Sequence, residues 1–230
     1  GRIIGVESLL RWNHPELGVI HPKVFIGLAE QTGLIRPIGQ WVMETACRQN
    51  KRWQDMGIPL RMAVNLSLEQ FRSPKLVKMV DQTLRMTGLD PGCLELELTE
   101  SIAVKEAVYI ISILNNLKKL GVMIALDDFG TEYSSLTRLK NLPADRIKID
   151  MQFIHGIAEG NKDEAIAKTI IQLAKNLNLK VLAEGVETEA QYEFCRRHNC
   201  DEIQGFYFHR PMPAEELEIL LLKDCQRLII

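Results

Sequence analysis

The chain has 230 residues, of which 46% are hydrophobic and 25% are charged, and its formal net charge is -2 at pH 7. This composition provides a sizeable core, and the lack of a basic stripe argues against DNA or long RNA as a partner. No apolar run is long enough to cross a bilayer, and the first residues lack a signal-peptide pattern. We expect one cytoplasmic domain over residues 1–230 that makes no membrane contact itself, while a segment upstream of it can still carry an anchor.

Short aliphatic runs recur along the chain, and most are followed by a turn signal and a longer segment with helical periodicity. The predicted strands are Ile3–Leu10, Arg61–Asn65, Leu94–Leu98, Met123–Asp127, Arg146–Ile149, Val181–Ala183 and Glu202–Ile203. The main predicted helices are Ile38–Met56, Pro74–Thr87, Lys105–Leu120, Glu164–Leu177 and Glu189–Asn199. Two helix starts have capping-box spacing, Ser67 with Gln70 and Thr188 with Gln191.

Such regular alternation predicts an α/β fold with a parallel sheet, and seven or eight units favour a closed (β/α) barrel. An open doubly wound sheet is the alternative, but no GxGxxG or GxxxxGK[ST] loop follows any predicted strand. A strand begins almost at Gly1 and only seven are predicted. We therefore expect that the chain is a fragment of a longer protein and lacks the first β/α unit.

The cysteines and histidines give no sign of a zinc site. Neither set has the spacing of metal ligands, and an odd number of scattered cysteines favours reduced thiols over disulfides. The cysteines are Cys47, Cys93, Cys195, Cys200 and Cys225.

Polar side chains cluster at the predicted carboxyl ends of the strands, which meet on one face of a barrel. They are Glu7, Asn65, Glu97, Glu100, Asp127, Asp128, Lys148, Asp150, Glu184, Glu187 and Gln204. Taken singly, several have ordinary alternatives, such as a turn residue for Asn65 or a solvated loop acid for Glu184. Together they predict a site, because several buried carboxylates on one face repel one another unless a cation neutralises them.

Strand alternation assigns directions to these side chains, since residues two apart share a face. Glu7, Leu9 and Arg11 are expected to point the same way. Asp127 and Asp128 cannot both point inward from a regular strand, so we expect Asp128 to lie in a turn after the strand. There both carboxylates can reach one cation or two adjacent cations.

Carboxylate and amide ligands favour a hard ion, Mg²⁺ or Mn²⁺. A pair of such ions is the common machinery for splitting a phosphodiester by in-line attack of water. Lys148 among these acids suits orienting the attacking water or stabilising the transition state, and a structural salt bridge is the alternative.

Seven motifs occur in an order and spacing that resembles EAL-domain phosphodiesterases, over Ile4–Pro213. They are "GVESLLRW", "AVNLS", "LELELTES", "ALDDFGTEYSSL", "IKIDMQFI", "VLAEGVET" and "QGFYFHRPM". The resemblance implies a (β/α)8 TIM-like barrel with one antiparallel strand. It also implies hydrolysis of the second messenger cyclic di-GMP to linear pGpG, two Mg²⁺ or Mn²⁺ ions, a homodimer and upstream regulatory domains.

The resemblance also implies residue roles. The implied metal ligands are Glu7, Asn65, Glu97, Asp127, Asp128 and Glu184, with Asp127 bridging the two ions. The implied catalytic residues are Lys148, Glu184 and Glu7. Substrate or guanine-end contacts fall on Leu9, Arg11, Gln204, Glu187 and Pro211, and Glu100 anchors the loop after the paired aspartates.

Two positions depart from the family pattern. Ser8 replaces the alanine of the name-giving motif, and Glu132 replaces a glycine in the loop after Asp128. We expect little effect from Ser8, whereas Glu132 adds charge where glycine allows a wider range of backbone angles. A receptor that binds cyclic di-GMP without hydrolysis is the second hypothesis, and a different metal-dependent barrel hydrolase is the third.

Overall fold

The computed structural model describes residues 2–104, 107–131, 136–157 and 162–227. Its contacts divide the chain into two compact units. The first unit contains Gly1–Leu96, Asn116–Met123 and Met212–Ile230, and the second contains Glu97–Asn115 and Ile124–Pro211. Among the described residues, no helix combines the length and the apolar character that crossing a membrane requires.

Nine strands are observed in the described parts of the chain. They are β1 Gly5–Glu7, β2 Trp12–His14, β3 Gly18–Ile20, β4 Arg61–Asn65, β5 Leu94–Thr99, β6 Met123–Phe129, β7 Arg146–Ile149, β8 Lys180–Ala183 and β9 Glu202–Ile203. The sheet has seven strands in the order β1-β4-β5-β6-β7-β8-β9, and β2 and β3 form a separate pair. The predicted set of seven sheet strands is therefore confirmed.

The helices follow the strands as the alternation predicts. They are α1 Pro22–Thr32, α2 Ile35–Asp55, α3 Leu68–Phe71, α4 Leu76–Thr87, α5 Glu100–Val104, α6 Ala107–Lys118, α7 Leu136–Asn141, α8 Met151–His155, α9 Lys162–Asn176, α10 Glu189–Arg197 and α11 Ala214–Arg227. Both predicted capping boxes form, since Gln70 and Gln191 each exchange two hydrogen bonds with the residue that precedes the helix.

The sheet has the parallel pairing of an α/β barrel. β1 pairs parallel to β4, and β6, β7, β8 and β9 pair parallel in sequence. Strand β5 is buried along almost its whole length, as a parallel strand covered on both faces should be. The antiparallel pair that the described residues contain is the β2–β3 hairpin, and the antiparallel barrel strand implied by the resemblance is not among the described pairings.

The first strand is shorter than predicted. It ends at Glu7 rather than Leu10, and the last backbone hydrogen bond to its neighbour runs from the Ser8 N–H to the Ala63 carbonyl. The following residues turn into the β2–β3 hairpin, which was not among the predicted strands. Leu9 and Arg11 thus lie outside the strand, and the expectation that they share the face of Glu7 by strand alternation is wrong.

The core of the first unit depends on one helix face. In α2 the buried residues recur at helical spacing, and Asn50 is the polar member of this series. The Asn50 Nδ2 donates to the carbonyls of Leu60 and Cys93, at 3.0 and 3.1 Å. One side chain therefore satisfies two backbone acceptors where the helix packs against the loop before β4 and the start of β5.

Asn50→Leu keeps the side-chain volume but removes both donors, so two carbonyls lose a partner in the interior. We expect the free energy of unfolding to fall by about 3 kcal/mol, measured by urea denaturation. Arg48→Leu, at an exposed position of the same helix, is the matched control and should stay within about 0.5 kcal/mol of the parent. Equal denaturation midpoints for the two variants would contradict the role of Asn50.

Candidate active site

The second unit holds a buried ammonium group surrounded by carboxylates. Strand β7 carries Lys148, whose side chain is 1% exposed. Its Nζ lies 2.8 Å from Glu97 Oε1, 3.2 Å from Asp127 Oδ1 and 2.8 Å from Glu184 Oε1. One buried positive charge therefore faces three acids.

The strand order explains why these four residues meet. Glu97, Asp127 and Lys148 lie on β5, β6 and β7, and Glu184 directly follows β8. These strands are consecutive neighbours in the sheet, so side chains near their carboxyl ends reach the same edge. The structure thus brings together four of the residues that the sequence singled out.

Asp128 reaches the cluster through a bulge rather than a turn. Strand β6 continues to Phe129, and its register against β7 shifts between Leu126 and Phe129. At this shift Asp128 adopts a φ of 54°, an uncommon value for a residue with a side chain. The expectation that Asp128 lies in the turn beyond the strand is therefore wrong, because the bulge alone redirects its side chain.

The bulge produces a cluster of three acids. Oxygen atoms of Asp127, Asp128 and Glu184 lie within 4.8 Å of one another. The pKa of Asp128 is raised to about 6, first by burial and then by the charge of Asp127 and the neighbouring Asp150 carboxyl, while Lys148 opposes these effects. Carboxylates held this close favour a bound cation, which stabilises their charged forms.

The donor set fits a hard divalent ion. All three ligand candidates offer carboxylate oxygens, which Mg²⁺ and Mn²⁺ prefer over the softer metals that select thiolates. Lys148 balances only part of the surrounding negative charge, so the excess is left for a cation to neutralise. Asp150 caps helix α8 by accepting from the Gln152 N–H at 2.8 Å.

Glu100 and Gly130 connect two segments of the second unit. Glu100 is 2% exposed, and its Oε2 accepts from the Gly130 N–H at 2.9 Å. Gly130 has a φ of 100°, and a Cβ there would lie 2.8 Å from the Phe153 ring and 2.9 Å from Ile170. Glycine is therefore needed for both backbone angle and space. Glu132 lies outside the described residues.

The loop after β8 is fixed on both sides. The Glu184 N–H donates to the Ile149 carbonyl at 3.2 Å, and His155 Nε2 lies 3.0 Å from the Gly185 carbonyl. No local motif in the sequence indicates this contact of His155, because it joins residues 30 positions apart. A side chain on α8 thus touches the peptide next to Glu184.

Gln204 and Glu187 lie near the same loop. The Gln204 N–H donates to the Ala183 carbonyl at 2.8 Å, and its carbonyl accepts from the Val186 N–H at 3.1 Å. The Glu187 N–H donates to Gln191 Oε1 at 2.7 Å, and the Glu187 side chain is exposed. Pro211 is also exposed.

The first unit holds the remaining predicted residues. Strands β1 and β4 are parallel neighbours, and Asn65 Nδ2 donates to Glu7 Oε1 at 2.7 Å. The Ser8 hydroxyl donates to the Ala63 carbonyl at 3.1 Å. Leu9 and Arg11 are both exposed, and the Arg11 guanidinium donates to the neighbouring Leu10 carbonyl.

Comparison with known proteins identifies the family. The family model described as EAL domain matches residues 1–211. MucR of Pseudomonas aeruginosa, a bifunctional diguanylate cyclase and cyclic di-GMP phosphodiesterase, is 51% identical over 218 residues, covering 94% of this chain and 32% of MucR. PdeR of Escherichia coli, a cyclic di-GMP phosphodiesterase, is 38% identical over 218 residues, covering 95% of this chain and 33% of PdeR.

A solved structure is similar over nearly the whole chain. The phosphodiesterase of Pseudomonas aeruginosa MucR, in complex with c-di-GMP, has a TM-score of 0.92 and 51% identity, covering 94% of this chain and 88% of that one. The chain belongs to the EAL domain family, and its fold class is the α/β barrel of that family. It spans about a third of the length of the curated relatives MucR and PdeR.

The hydrogen bond from the Gly130 N–H to the Glu100 carboxylate can be tested by amide hydrogen exchange. Glu100→Leu removes the acceptor, so the Gly130 amide should exchange its hydrogen with solvent at least about tenfold faster, measured by NMR. Glu100→Gln keeps a carbonyl acceptor and should show a smaller acceleration. Equal exchange rates in the parent and Glu100→Leu would show that the carboxylate does not protect this amide.

Proposed function

We propose that this domain hydrolyses cyclic di-GMP to linear pGpG with the help of two divalent metal ions, Mg²⁺ or Mn²⁺. The main support is the buried Lys148, which contacts Glu97, Asp127 and Glu184. Asp128 lies close to two of these acids. Support comes also from the similarity to a phosphodiesterase whose structure is a c-di-GMP complex.

The metal ligands are proposed on two grounds. The carboxylates of Glu97, Asp127, Asp128 and Glu184 lie together in the second unit and have the oxygen chemistry that Mg²⁺ and Mn²⁺ require. Glu7 and Asn65 are proposed as ligands because their motifs match those of the family. When bound, the ions supply Lewis acidity to the phosphodiester and lower the pKa of water.

Lys148 and Glu184 are proposed as the groups that handle the attacking water. The Lys148 ammonium lies among acids, and its Nζ–H can orient the water oxygen and stabilise negative charge on the phosphoryl oxygens. Glu184 is then close enough to Lys148 to accept a proton from the same water. The new P–O bond forms as the opposite P–O bond breaks, which opens the cyclic dinucleotide.

Substrate contacts are proposed for five residues that the family motifs mark, namely Leu9, Arg11, Glu187, Gln204 and Pro211. The exposed Arg11 guanidinium has the planar donor geometry that suits a phosphate. Gln204 and Glu187 are held next to the loop after β8 by backbone hydrogen bonds. Their amide and carboxylate groups suit the polar edge of guanine.

We also propose the wider setting of the domain. It acts in the cytoplasm as a homodimer, and it forms a single EAL-type unit within a longer chain that carries regulatory domains. The greater length of the relatives supports the last point.

Turnover tests the proposal directly. The pure domain should convert cyclic di-GMP to pGpG with Mg²⁺ or Mn²⁺, measured by chromatography, and EDTA should abolish turnover until the metal is restored. Folded protein that binds cyclic di-GMP tightly but yields no pGpG at any metal concentration would support the receptor hypothesis instead. Absence of both binding and turnover would contradict the phosphodiesterase hypothesis and the receptor hypothesis.

Variants separate the roles of metal ligand and lysine. Asp127→Asn should weaken Mn²⁺ binding, measured by calorimetry, and lower kcat at least about a hundredfold. Lys148→Met should lower kcat by about a hundredfold or more while Mn²⁺ still binds. If Lys148→Met instead raises KM and leaves kcat unchanged, the ammonium acts in substrate binding and the proposed role with water is wrong.

A further inference from the structure

Helix α10 in the second unit ends in a regular closing motif. The Cys200 N–H donates to the Cys195 carbonyl at 2.9 Å, and the Asn199 N–H donates to the Arg196 carbonyl at 3.1 Å. Asn199 has a φ of 54°, in the left-handed region that closes a helix. These two nested bonds define a Schellman motif, in which the side chains of the first and last residues commonly make an apolar contact.

In this chain both contact positions are cysteines. Cys195 is fully buried, and Cys200 is partly exposed. The two side chains influence each other: the Cys200 thiol lowers the pKa of Cys195, and the Cys195 thiol raises the pKa of Cys200. The helix end therefore holds two free cysteines next to each other, one of which is a partly exposed residue.

Two backbone carbonyls contact the Cys200 sulfur and do not react with it. The Cys200 sulfur lies 3.3 Å from the Glu202 carbonyl and 3.6 Å from the Val181 carbonyl, at the starts of β9 and β8. Carbonyl groups accept from a thiol but do not ligate a soft metal as a thiolate does. Two adjacent thiols in such surroundings can be oxidised to a disulfide.

We propose that Cys195 and Cys200 are a site of reversible oxidation, at which a peroxide links them by a disulfide across the end of α10. The S–S bond forms as both S–H bonds and the O–O bond of the peroxide break. The two thiols give up two electrons and two protons, and hydrogen peroxide is reduced to two molecules of water.

The backbone suits this bond. The hydrogen bond between Cys200 and Cys195 fixes their main chains at close range, as disulfide formation requires. The closed loop is short, so the bond should add little stability by restricting the unfolded chain. Oxidation would also withdraw the S–H donor from the carbonyls of Val181 and Glu202, which links the thiol state to the start of the β8–β9 pair.

The test maps the bond in the whole chain. Protein treated with hydrogen peroxide is alkylated under denaturing conditions and digested with trypsin, which cuts after Arg196 and Arg197. Two of the five thiols should be lost, and the peptide with Cys195 should be joined to the peptide with Cys200 until dithiothreitol separates them. Full alkylation of all five, a sulfinic acid on Cys200 beside an unmodified Cys195, or pairing with another cysteine would overturn the proposal.

Variants provide the controls. Cys195→Ala and Cys200→Ser should each abolish the linked peptides, whereas Cys93→Ser, at another partly exposed cysteine, should leave them unchanged. Cys47 is buried on α2, away from the end of α10 in the sequence, and should be recovered as an alkylated thiol. If Cys195→Ala does not fold, the peptide map of the parent chain still decides the question. The readout uses no cyclic di-GMP and is independent of the proposed activity.

Discussion

The contacts of Lys148 are the constraint on which the polar side of the second unit depends. A buried ammonium costs several kcal/mol unless paired, and a buried carboxylate costs a similar amount. Glu97, Asp127 and Glu184 surround this one lysine, so each charge is partly neutralised by the others. Consecutive parallel strands make this possible, because each strand delivers one charged group to the same edge.

A second constraint comes from the adjacent aspartates. Neighbouring side chains of a regular strand point to opposite faces, so two consecutive carboxylates cannot share one site. The bulge between Leu126 and Phe129 solves this by giving Asp128 a left-handed backbone angle. Asp128 then has a raised pKa, because burial and Asp127 both disfavour its charge. The strained backbone angle of Asp128 and the repulsion between the two carboxylates both lie at a position where a bound cation would offset them.

The sequence predicted these features to different depths. Strands such as Arg61–Asn65 and Arg146–Ile149 were predicted at both ends, because an aliphatic run and its turn signals are local. The end of β1 was not, since the chain leaves β4 after the hydrogen bond from Ser8 to Ala63 and turns toward the β2–β3 hairpin. Alternation indicated that Asp128 must leave the regular strand, but it could not distinguish a bulge from a turn. The contact of His155 with Gly185 joins distant positions and had no local signal.

The contact between Cys195 and Cys200 also could not be predicted from the sequence, although the two residues are only five positions apart. A spacing of five residues places no two side chains together in a continuing helix; the left-handed Asn199 brings Cys200 back over Cys195. The carbonyls near Cys200 stand at the starts of β8 and β9, while Glu184 and Gln204 follow the ends of those strands. The chain takes three residue steps from Val181 to Glu184, which amounts to about 10 Å, and two steps from Glu202 to Gln204. A change in backbone pairing at the starts of these short strands therefore has to pass through only a few residues to reach Glu184.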